Sequence, residues 1–248
     1  MQLLSRRRSC VKKNELKSLK EECYEYNMLL PSLGLVIYTF GNLSCVDRGR
    51  GVFAIKPSGV PYETMSWQDI VVLDFDCTII DGRLRPSSDA KTHALLYRNF
   101  NHAGGIVHTH STYATAWAQA CRSVPIYGTT HADHLNHEIP CTSLMSDAQI
   151  DGDYETETGV QIVETFAKLH LSPEDVQMVL VASHGPFAWG ESAEKAVYNS
   201  KVLEELCRMA QLTESLARKP ERMKDSLVQK HYERKHGTAA YYGQEKKK

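Results

Sequence analysis

Residues 104–111 read GGIVHTHS, and no other stretch constrains the chain as much. Ile106 and Val107 are apolar and β-branched, so they favour a strand, and a strand turns successive side chains to opposite faces. His108 and His110 therefore point the same way, with Cα atoms roughly 7 Å apart. Thr109 faces the other side. Two imidazoles at that spacing reach one divalent ion. A catalytic zinc takes three protein ligands and keeps a position for water or substrate, so a third histidine has to come from elsewhere. The alternative is a pair of strand histidines without a metal.

At 248 residues the chain can bury one large core or two small ones. A formal net charge of -1 supplies no global field toward nucleic acid or a membrane surface. Basic residues gather at the ends instead, in Arg6–Arg8 with Lys12 and Lys13, and in Lys246–Lys248. These give a disordered basic N-terminal extension over 1–13, one domain over 14–244 and a disordered lysine tail over 245–248. The 7 cysteines contain no Cys-x-x-Cys pair, which fits free thiols in a reducing cytoplasm. The start lacks the apolar core of a signal peptide. No apolar run approaches the roughly 20 residues that span a bilayer.

In chain order the periodicity predicts a helix over 14–30 that Pro31 ends, then strands over 35–40 and 52–55. Ser66 caps a short helical turn before a strand over 70–74, and Asp81-Gly82 reads as a hairpin turn. A helix over 90–100 follows, capped by Ser88 or Asp89, and after the histidine strand a helix over 112–120. Residues 129–137 read as a polar loop. Next come a helix over 155–169, a strand over 176–182 that resumes briefly at 187–189, and helices over 191–216 and 223–235. There is no internal repeat or linker, so the expectation is a single α/β domain.

His184 follows an apolar strand and precedes Gly185-Pro186, a place where a side chain is offered to a pocket. Alone it reads as a structural histidine; as a third imidazole beside His108 and His110 it would complete a zinc site. Asp89 is either a further ligand or a helix cap. Lys56, Ser58 and Gly59 offer a cation, a hydroxyl and an approachable amide to an anion. Ser87 and Ser88 stand at a predicted helix N-terminus, which favours phosphate, and Gly41-Asn42 is a third anion candidate. His131, His134 and His137 form a rival metal set at helical spacing. Asp133 reads as a general acid/base candidate. Near the end, His231, Arg234, His236, Tyr241 and Tyr242 gather on a segment too polar to be core.

The motifs GNLSCVDR, IKPSGV, RPSSD, GGIVHTHST, GTTHAD, IPCT, SHGPFAWG and KHG-x-x-AYYGQ occur here in one order. In that order the chain resembles the L-ribulose-5-phosphate 4-epimerases of the class II aldolase superfamily, over residues 14–244. The resemblance implies a central, mainly antiparallel β-sheet flanked by helices, and a homotetramer with its sites at subunit boundaries. It implies zinc, one per subunit and replaceable by ions such as manganese, on His108, His110 and His184, with Asp89 on or near the metal. Gly41, Asn42, Ser58, Gly59, Ser87 and Ser88, with Lys56 nearby, match substrate contacts. Thr129, Glu155, His231 and Arg234 match supporting positions, and Asp133 and Tyr242 match the two acid/base residues.

The implied reaction is zinc-dependent epimerisation of L-ribulose 5-phosphate to D-xylulose 5-phosphate by retro-aldol cleavage and re-addition. The alternative is a sugar-phosphate aldolase that releases its fragments. The polar C-terminal segment points to a neighbouring subunit, so each site is expected to take Asp133 and the histidines from one chain and Tyr242 from the next. Three features depart from the family pattern: the longer N-terminus with Arg6–Arg8, Phe40 in place of Trp, and His134 in place of Tyr beside Asp133.

Overall fold

Apolar residues of alternating direction give the central strands two buried faces, and the fold covers both. In the computed structural model, which describes residues 16–237 and residue 240, the strands are β1 (Asn42–Asp47), β2 (Val52–Ile55), β3 (Val71–Asp74), β4 (Ile79–Asp81), β5 (Gly105–His108), β6 (Met178–Val181) and β7 (Gly185–Gly190). They join in one sheet of order β4-β3-β2-β1-β5-β7-β6, antiparallel at every pairing. The helices are α1 (Lys17–Ser32), α2 (Ala90–Asn99), α3 (Thr112–Gln119), α4 (Thr129–Ala132), α5 (Asp147–Asp151), α6 (Tyr154–Leu169), α7 (Ala193–Leu216) and α8 (Asp225–His236). None of these is long and apolar enough to cross a membrane.

Leu43, Cys45, Val52, Ala54 and Val107 face α1 and the start of α7, where they meet Leu19, Cys23, Leu30 and Ala196. Their neighbours Phe53, Ile55 and Ile106 face the other way, against Ala94 and Tyr97 of α2 and Ile162 and Phe166 of α6. Each large side chain removed from water contributes about 1.5–3 kcal/mol relative to an exposed one, so a one-residue slip of any central strand is strongly disfavoured. A third cluster packs Ala114, Trp117 and Ala118 of α3 against Leu203 and Leu206 of α7 and Leu180 of β6.

Four local expectations are corrected. Residues 35–40 are not a strand: Leu35 and Val36 sink into the core beside α1, and the chain then turns at Tyr38 (φ 53), with the Phe40 N–H donating to Ile37. The β3–β4 hairpin turns at Asp74–Thr78, where the Asp74 carboxylate accepts from the N–H groups of Asp76 and Thr78. This Asx-type turn acts before the Asp81-Gly82 signal is reached. Phe187–Trp189 does not resume β6. The chain reverses at Ser183 (φ 59) and returns as β7, which leaves His184 on the hairpin corner. Asp89 makes no side-chain cap on α2, because its carboxylate is engaged elsewhere.

One contact fixes the sheet where it matters for the site. The buried Asn27 amide of α1 donates to Leu43 C=O at 2.9 Å and accepts from Leu43 N–H at 2.9 Å. Each buried polar group left unpaired costs about 1–3 kcal/mol, so this two-point grip on β1 is expensive to lose. It holds Asn42 at the strand's first position.

Candidate metal and sugar-phosphate site

Pairing alone gathers the site. In the ladder Asn42 lies opposite His108, and His108 lies opposite Phe187, so the start of β1, the end of β5 and the β6–β7 corner meet at one sheet end. His110 follows two residues past His108, beyond the end of β5, and His184 comes from the corner.

His108 is buried, and its ring stacks on Phe187 with centroids 4.2 Å apart. Its Nδ1 donates to Pro186 C=O at 3.0 Å, and its Nε2 lies 3.1 Å from Nε2 of His110. One nitrogen from each of His108, His110 and His184 lies within 4.8 Å of the other two, and Asp89 is not in that group. Burial, reinforced by the neighbouring His108, pushes His184 down to about 3 and lowers His110. Three imidazole nitrogens converging on one point suit a divalent ion such as zinc. The rival set does not assemble: His131 is buried against His137 C=O, while His134 packs edge-on to Tyr198.

Asp89 lies beside the cluster. Its Oδ2 accepts from the Asn42 amide at 2.7 Å and from the Ser87 hydroxyl at 3.3 Å. Burial pushes this carboxyl up, but the His108 and His93 imidazoles and the Asn42 hydrogen bond together outweigh it and hold the group below its usual range. It is thus an anion next to the three imidazoles. The Asn42 Oδ1 is buried without a protein partner on the same wall.

The cavity in front of the histidines measures about 430 Å³ and collects most of the residues singled out in the sequence. Gly41, Asn42, Lys56, Ser58, Gly59, Ser87, Ser88, Asp89 and Glu155 all line it together with His108, His110 and His184. The two serine loops are tied together: Ser58 N–H donates to Arg85 C=O, and Ser87 N–H to Lys56 C=O. Lys56 is 1% exposed, and its ammonium donates to Val60 C=O at 2.8 Å over the Tyr62 ring. Burial lowers it to about 8. A cation ringed by carbonyls, two serine loops and the N-terminus of α2 form an end of the cavity suited to an anion.

Tyr154 was not singled out, yet its hydroxyl stands 3.4 Å from Nδ1 of His184. Thr39 and Phe40 also line the cavity, the Phe40 ring 6.3 Å from that of His110. Nothing in the periodicity marks Tyr154, since it opens a helix as an ordinary half-exposed residue.

Four expected residues lie elsewhere. Asp133 is not among the lining residues of its own histidine cavity. Its carboxylate takes the Arg234 guanidinium at 3.0 and 2.7 Å and Nδ1 of His231 at 2.9 Å, while Thr129 C=O accepts from its backbone N–H. Burial opposes ionisation here, but the Arg234 and His231 hydrogen bonds and the Lys235 charge prevail and hold Asp133 at about 2. Beside it, burial and the Lys235 charge push His134 down to about 4, so it is neutral near pH 7. This cluster adjoins the start of α7, where Lys195 reaches Gly190, the partner of Gly105 at the opposite end of β5 from His108. The expectation that Asp133 and the histidines meet within one chain is therefore corrected. Tyr242 lies outside the described residues.

Residues 21–211 match the family described as Class II Aldolase and Adducin N-terminal domain. Sheet, histidine cluster and family match make the chain a class II aldolase-type domain. L-ribulose-5-phosphate 4-epimerase UlaF of Salmonella paratyphi B is 48% identical over 229 residues, covering 92% of this chain and 100% of that protein. The protein of the same name from Salmonella typhi gives the same figures. The chain belongs to the L-ribulose-5-phosphate 4-epimerase family. Among solved structures, an L-fuculose 1-phosphate aldolase superposes with a TM-score of 0.75 at 25% identity, covering 87% of this chain and 95% of that one. The L-fuculose 1-phosphate aldolase of Glaciozyma antarctica shares the fold, with a TM-score of 0.71 at 17% identity over 92% and 86% of the two chains.

Proposed function

We propose that this enzyme interconverts L-ribulose 5-phosphate and D-xylulose 5-phosphate at a zinc site made by His108, His110 and His184, with Asp89 beside the metal. The observation that carries the reading is the meeting of three imidazoles and a cationic, hydroxyl-lined pocket in one cavity of about 430 Å³. Zinc, when bound, supplies a Lewis-acid charge for the ketose oxygens. Ser58, Gly59, Ser87 and Ser88 hold the phosphate, and Lys56 adds positive charge behind them. Asn42 Oδ1 accepts from a sugar hydroxyl. Loss of the proton on the carbon-4 hydroxyl breaks the bond between carbons 3 and 4, whose electron pair stays on carbon 3 of the three-carbon dihydroxyacetone enediolate, the nucleophile for re-addition. Glycolaldehyde phosphate, kept by its phosphate, turns and is re-attacked on its other face, which inverts carbon 4.

The proton movements belong to Asp133 and Tyr242, one on each face of the aldehyde. Asp133 is fixed to α8 and faces away from its own histidines. A homotetramer in which the Asp133–α8 surface of one subunit covers the cavity of the next supplies Asp133 to that cavity, with Thr129, His231, Arg234 and Glu155 as supports. Cytoplasmic residence fits the free thiols.

With zinc restored after chelation, the enzyme should turn L-ribulose 5-phosphate into D-xylulose 5-phosphate, followed by a coupled assay for the product. His108→Asn should lose bound zinc and turnover together. Accumulation of free glycolaldehyde phosphate in place of the xylulose product would assign an aldolase. Full activity in a preparation shown to be metal-free would overturn the zinc site.

A further inference from the structure

The three histidines are not equally well held. His108 sits inside the ladder, paired with Asn42 and Phe187. His110 lies past the end of β5, where the local hydrogen bonds are long. Thr109 N–H reaches Pro186 C=O at 3.4 Å, and Ser111 N–H reaches its own neighbour Thr109 Oγ1 at 3.4 Å. His184 sits on a hairpin corner whose preceding residue has φ 59. Neither residue lies in a strand: the β6–β7 pairing brings His184 to the sheet end, but on the corner itself its backbone is tied, among the described residues, only by its N–H donating to Val181 C=O at 3.0 Å.

What both share is α3. The helix starts two residues after His110, and near its far end Ala118 C=O accepts from the N–H of Ser183, beside His184, at 2.9 Å. The start of α3 is fixed in an unusual way. Ser111, at the cap position, makes no side-chain cap, and its hydroxyl is buried without a partner. The work is done instead by Glu204 of α7, which is 8% exposed. Its two oxygens accept from the N–H groups of Tyr113 and Ala114, each at 2.9 Å. A carboxylate that accepts from the first free N–H groups also meets the positive end of the helix. A third bond, from Trp117 Nε1 to Cys207 C=O at 3.0 Å, ties the same helix to α7.

We propose that Glu204 is a positioning residue for the metal centre: by clamping the first turn of α3 to α7, it sets where His110 and His184 stand relative to His108. The inference rests on the metal reading above. Groups that orient ligands from behind commonly change metal affinity by about 10–100-fold when removed. Glu204→Gln keeps the shape but turns an amide N–H₂ against one of the two backbone donors. It should weaken zinc binding by about 10-fold or more, read by competition with a chromogenic chelator. The visible spectrum of the cobalt(II)-substituted enzyme should shift as well, because it reports the geometry of the ligands. Glu205→Gln, one residue along and on the exposed side, should match the wild type in both measurements.

Zinc affinity within about 2-fold of wild type together with an unshifted cobalt spectrum would overturn the proposal, even if the thermal midpoint fell, and would leave Glu204 as a helix cap alone. Should Glu204→Gln not fold, Glu204→Asp retains the charge but withdraws it by one methylene. It faces the same two measurements, with a weaker but same-signed loss expected. Wild-type protein that fails to bind zinc would sink the metal reading and this inference with it. Wild-type binding with unchanged variants sinks the inference alone.

Discussion

Replacing Gly41 by alanine tests how tightly the backbone is wound around the histidine cluster. Gly41 has φ +73, and an added Cβ would lie 2.7 Å from Val36 Cγ1 and 2.9 Å from the backbone oxygen of His108. A left-handed conformation costs a residue with a Cβ about 1–2 kcal/mol. Forcing an extra methyl into a filled site adds about 1–3 kcal/mol. The sum, about 2–5 kcal/mol, is a large part of a typical folding stability of roughly 5–15 kcal/mol. Gly59 supplies the control: φ is +69, and nothing lies within 4 Å of its added Cβ. Gly59→Ala should therefore cost only the conformational part, about 1–2 kcal/mol. Urea unfolding of both zinc-free variants gives the two values directly. Gly41→Ala should also bind zinc more weakly, because the displaced carbonyl belongs to a ligand residue. Equal costs for the two variants would refute the reasoning, since the contact contribution would then be absent.

Zinc-free protein should lose stability as the pH falls from about 6.5 toward 4. Burial holds His93 and His184 at about 3 and His131 and His134 at about 4, while the unfolded chain takes up protons near 6.5. Stability from these groups is complete above 6.5 and drains as protonation favours the unfolded chain, on the order of 2 kcal/mol per fully buried imidazole at pH 5. The depressed Asp133 acts lower, its contribution being lost only as pH falls from the usual carboxylate range toward 2. A urea midpoint unchanged between pH 7.5 and 5 would contradict the burial of these rings. For the shared site, Asp133→Asn and His108→Asn homo-oligomers should each be inactive. Mixed by unfolding and reassembly, they should regain about a quarter of wild-type activity, since random assembly sets an intact Asp133 surface against an intact histidine cavity at that frequency. Mixed oligomers as inactive as their parents would place Asp133 outside the site.

The sequence by itself determined which side-chain types the site would carry. His-x-His on a β-branched strand put two imidazoles on one side, and Ser-His-Gly-Pro after an apolar run offered the third. The glycine and serine loops marked the anion end, and period-two patterning marked the central strands. These signals are local, carried by neighbours in the chain. What they left open depends on contacts between distant segments. Residues 35–40 look like a strand, but the antiparallel partner of β5 turned out to start at Asn42, where Asn27 grips Leu43. Asp89 looked like a helix cap until Asn42, 47 residues away along the chain, claimed its carboxylate. Tyr154 and Glu204 carry no local mark at all, because a hydroxyl beside His184 and a carboxylate at the start of α3 have meaning only once the helices are docked. Asp133 reads as an acid/base candidate from its motif, yet its absence from the lining of its own histidine cavity follows from which end of β5 each segment reaches. Side-chain type is written residue by residue, while the direction in which a side chain is delivered is settled by strand order and helix packing.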